Sequence, residues 1–159
     1  MRRLLALALL MSSLAHAQTP SSPTTLARLR DHYRPLLIFA PSPEDPSLLV
    51  QLRKLKDSGP GLYSREVLVI AVPYNTPAPT DLALTQAGAD AARKRFHITP
   101  ADFTVILIGK DGGEKLRSRK PLSFHKLREA IDSMPMRQEE MRDRSNPDSS
   151  TGSSPRSPL

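Results

Sequence analysis

The feature that most limits what this chain can fold into is a strand, a helix and a second strand in close succession. Leu36-Leu37-Ile38-Phe39-Ala40 is an unbroken apolar run. It is too short for a helix and suits a strand covered on both faces. Pro41-Ser42-Pro43-Glu44 then turns the chain. Asp45-Pro46 reads as a helix start, with a capping carboxylate followed by proline at the first helical position. Leu48, Leu49, Leu52 and Leu55 form the predicted apolar face of that helix, and Gly59-Pro60-Gly61 its end. Glu66 to Val72 (EVLVIAV) is a second strand of the buried kind. A crossover of this length joins parallel strands in the right-handed sense.

The remaining pattern completes one small sheet. A short helix over Leu26 to Tyr33, capped by Thr25, is predicted before Pro35. After a loop from Pro73 to Thr80, a helix is expected from near Asp81 or Gln86 to Phe96. Phe103 to Ile108 (FTVILI) is a third strand. Gly109-Lys110-Asp111-Gly112-Gly113 carries an Asp-Gly turn, and Glu114 to Arg119 returns as the fourth strand. Ser123 caps a last helix whose apolar face is Phe124, Leu127, Ile131 and Met134. The order (α)βαβαββα predicts an α/β fold of thioredoxin-like arrangement, a four-stranded mixed sheet flanked by helices. The expected strand order is second, first, third, fourth. With 159 residues the chain has room for one such domain.

The ends read differently from the middle. Arg2 and Arg3, the apolar run from Leu4 to Met11 and the small-residue site Ala15-His16-Ala17 form a secretory signal, predicted over residues 1–17 with cleavage after Ala17. The run is too short to span a bilayer. Residues 18–24 (QTPSSPT) read as a linker and residues 25–141 as the folded domain. Residues 142–159 are expected to be a disordered tail, since almost no apolar residue lies there. The expected location is therefore the periplasm or the exterior. The formal charge of +7 permits an anionic partner without requiring one. Nucleic acid is disfavoured because no aromatic platform accompanies the charges.

Three segments resemble the domain-of-unknown-function 4174 family. They are Arg34 to Leu52 (RPLLIFAPSPEDPSLLVQL), Phe103 to Arg119 (FTVILIGKDGGEKLRSR) and Ile131 to Arg142 (IDSMPMRQEEMR). The patterns GKDGG-x-K-x-R and ID-x-MPMR-x-x-EM carry most of the likeness. The resemblance implies a thioredoxin-like fold and export, and assigns no activity.

A thioredoxin-like fold places its working site between the first strand and the next helix. There the helix N-terminus offers unpaired N–H groups and lowers the pKa of a thiol. This chain has no cysteine. Glu44-Asp45-Pro46-Ser47 stands where Cys-x-Pro-Cys would be, so thiol exchange and thiol peroxidase chemistry are excluded. Thr104 falls where such folds place a cis-proline. Glu44, Asp45, Ser47 and Thr104 are thus a candidate ligand site, although Asp45 also reads as a plain helix cap. Lys110, Lys115, Arg117 and Arg119 are a candidate anion site, with the last three expected on one strand face. The alternative is an edge strand guarded by charge. Met134, Met136 and Met141 read as packing residues. His32, His97 and His125 lack the spacing of a zinc site, and neither a metal nor a cofactor is implied.

The leading expectation is an exported, non-catalytic thioredoxin-like module that binds a partner in the envelope or outside the cell. Two alternatives stay open: a non-thiol enzyme or small-ligand site at Glu44 to Ser47, and attachment to a polyanion or anionic surface through Lys115, Arg117 and Arg119.

Overall fold

A computed structural model describes residues 25–74 and 84–145. The predicted signal, the linker, most of the loop after Pro73 and the tail from residue 146 lie outside the described residues. The elements are α1 (Leu26–Leu29), β1 (Arg34–Ala40), α2 (Pro46–Leu55), a 3-10 turn (Lys56–Ser58), α3 (Gly59–Tyr63) and β2 (Val67–Pro73). They continue with α4 (Gln86–Phe96), β3 (Thr104–Ile108), β4 (Glu114–Ser118), α5 (Phe124–Asp132) and α6 (Pro135–Ser145).

The sheet order is β2-β1-β3-β4, the order expected from the sequence. β1 pairs parallel with β2, and antiparallel with β3. β1 is buried along its whole length, which is why its sequence shows no alternation. Its two faces feed separate cores. Leu36, Ile38 and Ala40 pack with Leu48, Leu127 and Ile131 under α2 and α5. Leu37 and Phe39 pack with Ala92 and Phe96 under α4.

Several local expectations are corrected. The first helix stops at Leu29 rather than Tyr33, because Asp31 turns into the left-handed region at φ 65°. There its N–H donates to the carbonyl of Lys110. On α2 the buried face is Leu48, Gln51 and Leu55, whereas Leu49 and Leu52 are 46% and 39% exposed. Gln51 earns its core position through both ends of its amide. Its Nε2 donates to the Leu122 carbonyl at 3.1 Å, and its Oε1 accepts from the Leu122 N–H at 2.6 Å. Gly59-Pro60-Gly61 does not end the helical region but opens α3. Gly61 is required there because a Cβ would overlap the Phe124 ring.

The last helix divides at Ser133-Met134. Pro135 has no N–H to continue α5, so it starts α6 as a separate helix. α6 runs to Ser145, past the predicted boundary at Arg142. Two contacts hold its end: Arg144 donates to the Ser64 carbonyl at 3.1 Å, and it lies 3.7 Å from Glu66.

Candidate functional site

β1 begins with a charge where a strand start would ordinarily be apolar. Arg34 is 1% exposed. Glu140 on α6 meets its guanidinium end-on, with Nη2 donating to Oε1 at 2.8 Å and Nη1 to Oε2 at 3.3 Å. Nη1 also donates to the Arg65 carbonyl at 3.1 Å and lies 3.4 Å from Glu66. Lys110, on the hairpin turn after β3, bridges both carboxylates, at 2.5 Å to Glu66 and 2.7 Å to Glu140. Arg137, one turn before Glu140 on α6, donates to Glu140 Oε2 at 3.2 Å. Asp132 at the end of α5 receives two bonds from Arg65, at 2.9 and 2.7 Å.

Glu66 occupies a left-handed backbone conformation, φ 55°, immediately before β2. Such a conformation costs a non-glycine residue roughly 1–2 kcal/mol. It persists here with the carboxylate facing Arg34 and Lys110. Four separate parts of the chain thus deliver charge to one end of the sheet.

The electrostatic balance follows from the geometry. Burial pushes the Glu140 carboxyl up, but hydrogen bonds from Arg34, Lys110 and Arg137 outweigh it and bring it down to about 2. Burial would lower Lys110, and its bonds to Glu140 and Glu66 instead hold it above the ordinary lysine value. Asp132 is likewise raised by burial and lowered further by Arg65 and Arg137, with a net fall. Arg34 Nε and Arg137 Nε are buried without an acceptor.

Beside this network lies a cavity of about 530 Å³. Arg34, Lys110 and Lys115, with the carboxylates of Asp111 and Glu139, supply its charged wall, and Ala130, Met134 and Met136 its apolar wall. This volume is within the range of small-molecule pockets. It sits by the N-terminal end of β1. A seven-residue strand spans about 20 Å, so the cavity and the α2 N-terminus occupy opposite poles of the sheet.

At the α2 pole the structure places Glu44 exposed on the turn, Asp45 as the helix cap and Ser47 in the first turn. Asp45 Oδ1 accepts from the N–H groups of Ser47 and Leu48 at 2.9 and 3.0 Å. Two of the helix's unpaired donors are therefore satisfied by its own cap. Thr104 is 2% exposed at the start of β3, opposite Phe39.

The predicted anion site is divided. A bulge in β4 leaves Lys115 as an extra residue between the pairs Leu107–Leu116 and Ile108–Glu114. This moves Lys115 to the α5–α6 side, where it pairs with Asp111. Arg117 stays on the α4 side, held by Glu114 at 2.7 Å and donating to the Phe96 carbonyl at 3.1 Å. The expectation of one shared face for Lys115, Arg117 and Arg119 is corrected accordingly. Arg119 is exposed beyond the strand end, near Asp102. Lys110 belongs to the internal network.

Arg34, Asp132, Arg137 and Glu140 were not singled out by sequence reasoning. Their signal was present all the same, since they lie within the segments that carry the family resemblance. Among the described residues, no group of three or more His, Asp or Glu side chains is placed to hold a metal ion. No described helix is long and apolar enough to cross a membrane.

A family model described as a domain of unknown function (DUF4174) matches residues 25–140. No curated protein matches the chain. Among solved structures, the reduced 2-Cys peroxiredoxin of Plasmodium vivax is similar at TM-score 0.54 and 14% identity, over 73% of this chain and 84% of that one. Prx1a of Plasmodium yoelii is similar at TM-score 0.50 and 16% identity, over 72% of this chain and 80% of that one. These likenesses bear on the fold, which is thioredoxin-like.

Proposed function

The chain belongs to the DUF4174 family, and on that premise we propose that it is an exported, non-catalytic module that binds a partner in the envelope or outside the cell. One observation carries the non-catalytic reading: Asp45 caps the α2 N-terminus in a chain without cysteine. Glu44 and Ser47 stand at the two thiol positions, and Asp45 between them already accepts from the helix N–H groups of Ser47 and Leu48. What the fold retains is a rigid scaffold with a cavity at the other pole.

Export is supported by the sequence of residues 1–17 alone. The test is to produce the full chain with a C-terminal tag, fractionate the cells and determine the N-terminus. A chain beginning at Gln18 in the periplasm or medium is expected. An intact cytosolic chain would overturn the export reading. Turnover of a small molecule that is lost in Glu44→Gln would overturn the non-catalytic reading.

A further inference from the structure

We propose that the cavity between α5, α6 and the β3–β4 hairpin binds a small organic carboxylate with an apolar body. This rests on the binding-module reading above and adds the class of ligand.

The charge count favours a single negative charge. Inside the network Arg34, Arg65, Lys110 and Arg137 face Glu66, Asp132 and Glu140, one cation more than carboxylates. Arg144 reaches Glu66 from the exposed side, and Glu139 at the cavity rim offsets it.

The donors point the same way. Arg34 contributes positive charge to the cavity wall, but its Nε–H is sealed from the cavity and its Nη groups are held by Glu140 and the Arg65 carbonyl. Lys115 supplies the donor that a ligand can reach. Its pair with Asp111 is partly exposed, with side chains 34% and 49% accessible, so exchanging Asp111 for a ligand oxygen costs little. A carboxylate offers this ammonium a charged acceptor, the stronger kind of hydrogen-bond partner.

The rest of the wall requires an apolar body. Ala130, Met134, Pro135 and Met136 line it. Methionine side chains adapt to varied apolar shapes, and Met136 is 42% exposed, available to fold over an occupant.

The test is amide NMR of the full chain titrated with octanoate, with octanamide and with inorganic phosphate at matched ionic strength. Octanoate is expected to shift Lys115, Ser133, Met134 and Met136. Octanamide should bind about tenfold more weakly, the scale of a lost charge-assisted hydrogen bond. Lys115→Gln should weaken octanoate about as much, while Arg119→Gln leaves it unchanged. Equal binding of octanamide would overturn the proposal, as would tighter binding of phosphate or octanoate shifts confined to Glu44 to Ser47. Absence of binding at millimolar octanoate would also overturn it. That last result would remove the ligand class and leave the binding-module reading to its own test, since export and lack of turnover do not depend on octanoate.

Discussion

Glu140 and Arg34, 106 residues apart in sequence, form an end-on pair that ties the last helix to the first strand. Arg34 is buried at the start of β1, and without Glu140 its charge would lose its best partner. The pair therefore sets the position of α6 and one wall of the cavity.

Glu140→Ala should destabilise the fold by roughly 3–5 kcal/mol, because removing one member of a buried ion network leaves the others uncompensated. Urea unfolding measures this. Lys115→Ala, in a partly exposed pair, should cost less than about 1 kcal/mol in the same experiment.

Acid should release the same contact. The Glu140 carboxyl is held from 4.5 down to about 2 in the folded state, so its contribution is complete above the unfolded value. It fades as pH falls below about 4.5 and is gone below about 2, a total of about 3 kcal/mol. Stability measured across this window should fall with pH, and Glu140→Gln should flatten the fall. An equally steep fall in the variant would place the acid sensitivity elsewhere.

Gly61→Ala should cost about 1–3 kcal/mol, since the added methyl meets the Phe124 ring. Phe124→Leu in the same chain should recover part of the loss. Thermal melts of the single and double variants decide it.

Gln51→Leu should destabilise although it adds apolar volume to a core position. It leaves the N–H and carbonyl of Leu122 without their partner, at about 1–3 kcal/mol. A neutral or stabilising result would mean that the Leu122 groups find other partners.

The fold was legible in the sequence where its causes are local. The apolar runs of β1, β2 and β3, the Asp45-Pro46 start and the Asp-Gly turn each act within a few residues, and together they fix the strand order. The site was less legible, because Arg34, Lys110 and Glu140 acquire their meaning only from contacts between distant segments. Gln51 was passed over because a polar residue on a helix ordinarily faces water, and its partner lies 71 residues away. The bulge at Lys115 defeats the alternation rule that put it with Arg117, since one extra residue moves a side chain to the other face.

The central claim is that binding takes place at the pole of Arg34 and Glu140 and not at the α2 N-terminus. The most direct measurement places a photoreactive residue at Met136 in one chain and at Glu44 in another, with irradiation of intact producing cells. The account predicts discrete adducts from position 136 that are lost when Glu140→Ala is added, and none from position 44. Adducts from position 44 alone, or from position 136 unaffected by Glu140→Ala, would contradict it.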